Sequence, residues 1–201
     1  MNHKNIKMKT NIIIAGVGGQ GILTISTILD MAAFNNNLYI KQSEVHGMSQ
    51  RGGAVQSHVR ISDKEVFSDL IPLGKADMII SVEPMELLRY LPYLKEEGWL
   101  ITDAEPFVNI PNYPEMEELF NKIKTYPNHI IINATEEAKK IGTSKAANVV
   151  MLGAASNLLP IDESGLLKAI TDLFNRKGER VVNINIEAFK KGKELASLVI
   201  N

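Results

Sequence analysis

Short apolar runs alternate along the chain with segments whose apolar residues recur every three or four positions. The run at residues 11–15, Asn-Ile-Ile-Ile-Ala, predicts a buried first strand that ends at Gly16. Residues 20–34 then carry apolar side chains at helical spacing, namely Ile22, Ile25, Ile28 or Leu29, and Ala32. Together the two segments predict a strand followed by a helix.

The same alternation continues through the rest of the chain. Further strands are predicted at residues 38–41, 54–61, 77–82, 99–102 and 129–133. Further helices are predicted at residues 85–94, 115–124, 146–158, 163–174 and 187–199, and Thr135 is a candidate N-cap for one more. In the 54–61 strand Val55, Val59 and Ile61 share one face, and Gln56, His58 and Arg60 share the other, so we expect that strand to be half exposed.

Strands that alternate with helices favour an α/β fold in which helices cover a mostly parallel sheet. We therefore expect a single three-layer domain of Rossmann-like type over residues 1–201. An irregular excursion is expected between the second strand and Asp77.

Composition narrows the choice of partners. The formal net charge of −1, with 45% hydrophobic and 22% charged residues, gives no general attraction to nucleic acid or to anionic membranes. Because the chain has no cysteine, it cannot itself hold a disulfide, a thiolate zinc site or a cysteine-ligated iron–sulfur cluster. The basic start is followed by an apolar run at residues 12–15 that is too short for a signal peptide or a membrane span, so we expect a cytoplasmic location.

A glycine turn follows the first predicted strand. Residues 16–21, Gly-Val-Gly-Gly-Gln-Gly, have the G-x-G-x-x-G spacing that lets a phosphate approach the amides at a helix N-terminus. The candidate cofactor-binding residues in it are Gly16, Gly18, Gly19, Gln20 and Gly21. An NAD site also needs an acid after the second strand, where the chain has Lys41 and Gln42, so NAD is disfavoured and NADP stays open. Alternatively, the glycines serve only to pack the first helix on the sheet.

A second polar motif, Glu-Val-His-Gly-Met-Ser-Gln-Arg-Gly-Gly, occupies residues 44–53, and we call it the 44–53 segment. Between residues 36 and 62 the only acid is Glu44, so a local anion site is expected. Arg51 beside two glycines would offer a planar donor fork next to exposed amides, which suits a carboxylate or phosphate. The candidate ligand-binding residues are Glu44, His46, Gln50, Arg51 and Gly52. Equally, Glu44 could neutralise Arg51 within a structural loop.

Three carboxylates follow two further predicted strands and are expected near Gly16. Glu83, Asp103 and Glu105 could act in acid–base chemistry, or they could cap helices and order loops. Asn148 lies in a helix of small residues, where it either bonds a loop or ligand or is a satisfied core amide. The four histidines do not cluster, so we expect no metal site, and we assign no catalytic residue to this chain.

The glycine turn and the 44–53 segment, together with Ser57-His58-Val59-Arg60, resemble the gamma-type subunit of 2-oxoacid:ferredoxin oxidoreductases, and among these the indolepyruvate type. The resemblance continues at residues 70–72, 76–77, 83–84, 91–94 and 148–153, which makes it cover nearly the whole chain. The two motifs about two dozen residues apart are far more specific as a pair than either is alone.

The resemblance implies a complex that decarboxylates an aryl 2-oxoacid, reduces ferredoxin and forms an acyl-coenzyme A. It implies that thiamine diphosphate, magnesium and [4Fe-4S] clusters are held by a large partner subunit, that coenzyme A is a co-substrate, and that this chain alone is inactive. Two rival hypotheses are a free-standing NADP-dependent reductase and a pure assembly module.

Overall fold

The computed structural model describes residues 8–46 and 52–200 of the chain. Its strands are β1 (Lys9–Val17), β2 (Tyr39–His46), β3 (Ala54–Ser62), β4 (Ala76–Ser81), β5 (Leu94–Asp103) and β6 (His129–Ile132). The α-helices within those residues are α1 (Ile22–Asn35), α2 (Pro84–Arg89), α3 (Met116–Lys124), α4 (Ala134–Ile141), α5 (Ala147–Ala155), α6 (Glu163–Phe174) and α7 (Glu179–Ile200). None of these helices combines the length and the hydropathy that a membrane crossing requires.

The strands form one sheet in the order β2-β3-β1-β4-β5-β6. Strands β1, β4, β5 and β6 are parallel neighbours, whereas β3 is antiparallel to both β1 and β2. Strand β2 therefore runs in the same direction as β1, and every described strand except β3 ends at the same edge of the sheet. The predicted α/β fold with a mostly parallel sheet is confirmed.

Side chains alternate between the two faces of the sheet, and each face has its own apolar core. Ile12 and Ile14 of β1 belong to the core under α1, α5, α6 and α7. Ile13 and Ala15 belong to the opposite core, which includes Leu87 of α2 and Ile123 of α3. Because both faces are covered, the central strands are apolar on both sides, as in other parallel sheets.

Helix α5 lies between the sheet and α7, and every residue of it is buried. A Cβ atom on Gly153 would lie 2.0 Å from the Phe189 carbonyl oxygen of α7, and one on Gly192 would lie 1.8 Å from the Val150 carbonyl oxygen of α5. The two helix backbones therefore touch at these glycines, because a residue without a side chain lets them approach this closely.

The expectation of a half-exposed β3 is wrong. His58 and Arg60 are only 2% and 7% exposed, because the connection between β3 and β4 crosses this face. His58 Nδ1 accepts a hydrogen bond from the Ile71 amide (3.1 Å), and Arg60 donates to the carbonyl oxygens of Ser68 (2.8 Å) and Leu70 (3.0 Å). The polar face of β3 thus anchors this connection and does not face solvent.

Several predicted boundaries also change. Strand β2 extends to His46 and so includes the start of the 44–53 segment, and α7 begins at Glu179, eight residues earlier than predicted. Helix α4 begins after Asn133, so Thr135 is not its N-cap. The Thr135 amide and hydroxyl instead bond Asp103, as described below.

Candidate functional site

The glycine turn and the ends of the β2–β3 hairpin lie together at the carboxyl edge of the sheet. In the strand register Gly16 pairs with Val55, and Val55 pairs with His46. The Gly18 amide donates a 2.9 Å hydrogen bond to the Gly53 carbonyl oxygen. The two motifs that the sequence places two dozen residues apart are therefore joined by their backbones.

Gln20 shapes the glycine turn. Its side-chain Oε1 accepts a hydrogen bond from the Val17 amide (2.7 Å), and its Nε2 donates to the Val82 carbonyl oxygen at the end of β4 (3.1 Å). Both ends of the Gln20 amide are therefore engaged in holding the turn against the neighbouring strand.

Packing explains two glycines of the turn and leaves a third unexplained. A Cβ on Gly16 would lie 2.5 Å from Val82 Cγ2, and a Cβ on Gly21 would lie 2.3 Å from Asn148 Nδ2. In contrast, a Cβ on Gly19 would meet nothing within 4 Å. The backbone at Gly19 is thus open, and its φ of +105°, a conformation that favours glycine, accounts for this residue where packing does not.

Asn148 ties α5 to the turn. It is 4% exposed; its Nδ2 donates to the Gly21 carbonyl oxygen (2.8 Å) and its Oδ1 accepts from the Val149 amide (2.8 Å). Asn148 therefore combines the two roles considered for it, because it bonds the loop at Gly21 and is also a buried amide with both ends satisfied.

The N-terminus of α1 is left open by this arrangement. Its N-cap is Gly21, no side chain caps it, and its first turn has no acid. The first amides of a helix have no partner within the helix, and they carry the positive end of its dipole. The turn therefore points an uncapped, electropositive helix end toward the carboxyl edge.

Glu44 of β2 lies on the sheet face that α1 covers, because it pairs with Ser57, which bonds Ser26 of α1. Glu44 Oε1 accepts a 2.5 Å hydrogen bond from Gln42 Nε2. Burial, and secondly the nearby Glu44 carboxylate, raise the pKa of Asp30 on α1 to about 6. Glu44 is thus part of a polar group beneath α1.

The carboxylates at the ends of β4 and β5 organise loops. Glu83 is fully buried and accepts hydrogen bonds from the Glu86 amide (2.7 Å), the Phe107 amide (3.4 Å) and the Tyr113 hydroxyl. Burial raises the Glu83 pKa, against the lowering effect of these bonds. The phenol pKa of Tyr113 is raised by burial and by Glu83.

Asp103 plays a similar part at the end of β5. It is 1% exposed and accepts from the amides of Glu105 (3.2 Å) and Thr135 (3.0 Å) and from the Thr135 hydroxyl. Burial is the largest cause of its raised pKa. Glu105 pairs with Lys139 at 3.2 Å. Of the two roles considered for these acids, capping and loop ordering fits the geometry.

The loop between β5 and α3 links these acids to the hairpin. Phe107 and Tyr113 fix it to Glu83, and Asn109 Nδ2 donates a 2.6 Å hydrogen bond to the Gly52 carbonyl oxygen. A Cβ on Gly52, whose φ is +79°, would meet nothing within 4 Å. The end of the 44–53 segment is therefore held from two sides while its backbone stays open.

Gln50 and Arg51 lie outside the described residues, as do residues 47–49 and the side chain of His46. In the part of the chain that is described, no group of three or more His, Asp or Glu side chains could hold a metal ion.

Two clefts flank the turn. A cleft of about 360 Å³ lies beside β3 and is lined by apolar residues that include Ile22, Leu23 and Val55. A larger cleft of about 660 Å³ lies between the turn, the residues before α5 and the α6–α7 connection. We call the larger one the lysine cleft, because Lys145 and Lys177 line it. Sequence reasoning missed both lysines, since nothing local connects residues 145 and 177 with the glycine turn.

Comparisons of this chain with known proteins all match the same protein family. The family model of pyruvate ferredoxin/flavodoxin oxidoreductase matches residues 11–195. The indolepyruvate oxidoreductase subunit IorB of Archaeoglobus fulgidus is 38% identical over 194 residues, covering 92% of this chain and 94% of that protein. The 2-oxoglutarate synthase subunit KorC of Methanocaldococcus jannaschii is 34% identical and covers 98% of both chains.

Solved structures agree on the fold. The gamma subunit of a keto/oxoacid ferredoxin oxidoreductase from Geobacter sulfurreducens superposes with a TM-score of 0.69 at 27% identity, covering 94% of this chain and 99% of that one. The 2-oxoglutarate:ferredoxin oxidoreductase of Magnetococcus marinus, with 2-oxoglutarate, coenzyme A and succinyl-CoA bound, gives a TM-score of 0.76 at 24% identity. The match covers 96% of this chain but only 32% of the Magnetococcus chain.

Proposed function

Because the chain belongs to the pyruvate ferredoxin/flavodoxin oxidoreductase family, we propose that it is the small, cofactor-free subunit of an indolepyruvate-type 2-oxoacid:ferredoxin oxidoreductase. The observation that carries this proposal is the similarity to four IorB subunits, each 35–38% identical over at least 92% of this chain. The joined glycine turn and hairpin support it. In this proposal residues 1–201 form one gamma-type domain.

The active complex contains a larger partner subunit. Since this chain has no cysteine, the [4Fe-4S] clusters are ligated by the partner, which also holds thiamine diphosphate and magnesium. Those groups supply the decarboxylation of an aryl 2-oxoacid and the path of its electrons to ferredoxin. The present chain does not turn over alone; its part is to complete the complex in the cytoplasm.

The contribution of this chain is a binding surface for coenzyme A, the acyl acceptor. The surface consists of the glycine turn and the 44–53 segment. Two features of the structure support it, the uncapped start of α1 and the open backbone at Gly19 and Gly52. The sequence of the segment adds the guanidinium of Arg51. The coenzyme A named for the Magnetococcus relative is compatible with this role.

The candidate residues divide into two groups by what they contact. Gly16, Gln20 and Gly21 shape the turn, Gly18 fixes it to the hairpin, and Glu44 belongs to the polar group beneath α1. The groups proposed to contact the coenzyme are Gly19, His46, Gln50, Arg51 and Gly52. Arg51 supplies the positive charge, and the two glycines let phosphate oxygens approach the backbone.

The test replaces Arg51 in the assembled enzyme. The chain is co-expressed with the thiamine diphosphate-binding subunit, and ferredoxin reduction is measured against coenzyme A concentration for wild type and Arg51→Ala. We expect the KM for coenzyme A to rise about tenfold, since a hydrogen bond to a charged group contributes about 1.5–3 kcal/mol. The control, Lys122→Ala on α3 of the opposite sheet face, should leave the KM unchanged. An unchanged KM in Arg51→Ala would contradict this role of the segment.

The geometry does not favour the rival NADP-dependent reductase. Lys41, the residue that would face a 2′-phosphate, pairs with Arg60 in mid-strand, and β2 continues to His46. At about 3.4 Å per residue, Lys41 lies about 17 Å before the carboxyl edge where the glycine turn is found. The strand register thus places Lys41, the candidate contact for a 2′-phosphate, too far from the glycine turn for both to serve one dinucleotide site.

A further inference from the structure

The loop between β5 and α3, residues 104–115, reaches the 44–53 segment through one side chain. Asn109 Nδ2 donates a 2.6 Å hydrogen bond to the Gly52 carbonyl oxygen, 57 residues away along the chain. The neighbouring side chains at positions 107, 108 and 110 are exposed and apolar, so they cannot form such a bond. The tip of the loop is therefore bonded to the hairpin through Asn109.

The 104–115 loop is held rigidly around Asn109. Its two contacts with Glu83, the Phe107 amide (3.4 Å) and the Tyr113 hydroxyl, lie on either side of Asn109. Glu83 is fully buried and is itself fixed, because its other carboxylate oxygen accepts from the Glu86 amide (2.7 Å) at the start of α2. Prolines at positions 106, 111 and 114 restrict the loop further, since each proline fixes its own φ. The loop thus supports Asn109 as a brace for the hairpin.

Two consecutive carbonyl groups at the end of the 44–53 segment are held by different parts of the fold. The Gly52 carbonyl accepts from Asn109, and the Gly53 carbonyl accepts from the Gly18 amide at 2.9 Å. Because each peptide unit is planar, fixing its carbonyl also fixes the N–H on its opposite side. The peptide units on both sides of Gly53 are therefore oriented, and with them the direction from which the chain enters β3.

Gly52 is the residue that needs this support. Its φ is +79°, and a Cβ there would meet nothing within 4 Å, so close packing does not define its conformation. A glycine can adopt many backbone conformations at little steric cost. The Asn109 hydrogen bond therefore restrains a residue that its own surroundings would leave free to rotate.

We propose that Asn109 is a positioning residue for coenzyme A, a role that rests on the proposed function. By fixing the peptide between Gly52 and Gly53, Asn109 sets the backbone from which Arg51 is presented to the phosphates. The role is indirect, since the Asn109 amide bonds Gly52 and Arg51 carries the charge. A segment that is ordered beforehand loses less conformational entropy when it binds a ligand, so this restraint raises affinity without adding a contact.

The experiment compares Asn109→Ala, Asn109→Asp and Asn112→Ala with wild type. Alanine removes the donor, and aspartate keeps the shape but places an acceptor against the Gly52 carbonyl. Asn112 is the matched control, because it is an exposed asparagine of the same loop whose side chain forms no hydrogen bond within residues 8–46 and 52–200. The KM for coenzyme A and kcat are measured by ferredoxin reduction on the assembled enzyme. Separately, the full chain is treated with trypsin and cleavage after Arg51 is followed by mass spectrometry.

Loss of the hydrogen bond should raise the KM for coenzyme A about threefold to tenfold in Asn109→Ala, and at least as much in Asn109→Asp, while kcat stays within about twofold of wild type. Tryptic cleavage after Arg51 should accelerate by a similar factor, since proteolysis requires the backbone to open locally. Asn112→Ala should match wild type in both measurements. Because Asn109 acts through Arg51, adding Asn109→Ala to Arg51→Ala should change the KM by no more than about twofold.

Two results would overturn the positioning role. One is a KM for coenzyme A in Asn109→Ala equal to that of Asn112→Ala; the other is an effect of Asn109→Ala that multiplies fully with that of Arg51→Ala. If Arg51→Ala by itself raises the KM in either case, the proposed function stands and only Asn109 is misassigned. If neither variant raises the KM while cleavage after Arg51 still accelerates, the hydrogen bond restrains the segment, but the coenzyme A role of this chain fails and the positioning role fails with it.

Discussion

The contact between Gly21 and Asn148 holds the glycine turn against α5, and a double-mutant cycle tests it. The variants are Gly21→Ala, Asn148→Ala and the two combined. An added Cβ on Gly21 would lie 2.3 Å from Asn148 Nδ2, so the asparagine amide has to move and loses its 2.8 Å bond to the Gly21 carbonyl oxygen. The same alanine would also adopt a φ of +78°, which is strained for any residue with a Cβ.

These effects can be given magnitudes. The φ strain costs about 1 kcal/mol, and the buried hydrogen bond about 2 kcal/mol, so Gly21→Ala should lower the free energy of unfolding by about 3 kcal/mol. Asn148→Ala loses the same bond and the one to the Val149 amide, at a cost of about 2 kcal/mol. In the double variant the clash is gone and the bond is lost only once, so the total is about 3 kcal/mol and not about 5.

The assay is urea unfolding followed by circular dichroism, with the free energy extrapolated to zero denaturant. Gly52→Ala is the matched control, because its φ of +79° brings the same strain and its Cβ would meet nothing within 4 Å. We expect Gly52→Ala to cost about 1 kcal/mol and to add to Asn148→Ala without coupling. If Gly21→Ala and Asn148→Ala were additive within about 0.5 kcal/mol, the reasoning from this contact would be refuted.

Three further variants test other parts of the account. Since burial raises the Asp30 pKa to about 6, the native state binds more protons than the unfolded state between pH 4 and 6, and stability falls as pH rises through that window. Asp30→Asn should remove this slope and add about 1–2 kcal/mol at pH 7 after allowing for partial exposure, as measured by urea unfolding at several pH values. Tyr113→Phe should cost about 1–2 kcal/mol and speed proteolysis of the loop that Glu83 holds. Gly153→Ala should cost more than about 3 kcal/mol, because its Cβ would lie 2.0 Å from the Phe189 carbonyl oxygen, and the thermal midpoint should fall.

Matched variants serve as controls for these changes. Tyr39→Phe removes an exposed hydroxyl and should leave proteolysis unaltered. Gly178→Ala adds a Cβ in open space at a φ of +93°, so it should cost only about 1 kcal/mol. A pH profile that is the same in Asp30→Asn and wild type, or a Gly153→Ala variant as stable as Gly178→Ala, would contradict the corresponding argument.

The secondary-structure elements and the fold class could be predicted from local patterns, because the spacing of apolar residues shows which faces are buried. The 163–174 helix agrees at both ends with α6 (Glu163–Phe174), and the apolar runs all became strands. The buried face of β3 could not be predicted, since its cover is a separate connection that bonds His58 and Arg60 through backbone groups. The alternation of polar and apolar residues in β3 showed that the strand has two different faces, but it could not show which other segment covers each face.

The site was predictable in part for the same reason. Local glycine spacing located the turn, and the 44–53 segment begins at the carboxyl edge because β2 runs parallel to β1. The roles of Gln20 and Asn148 depend on partners 62 and 127 residues away, and those contacts exist only once α5 and β4 are packed. Lys145 and Lys177 line one cleft because the residues before α5 lie beside the α6–α7 connection.

The most direct test of the central claim measures ferredoxin reduction by the proposed large partner subunit with and without this chain, at saturating aryl 2-oxoacid and increasing coenzyme A. The account predicts that the large subunit alone shows no coenzyme A-dependent turnover, and that adding this chain in equal amount restores saturable dependence on coenzyme A. Full turnover with the same KM for coenzyme A in the absence of this chain would contradict the account.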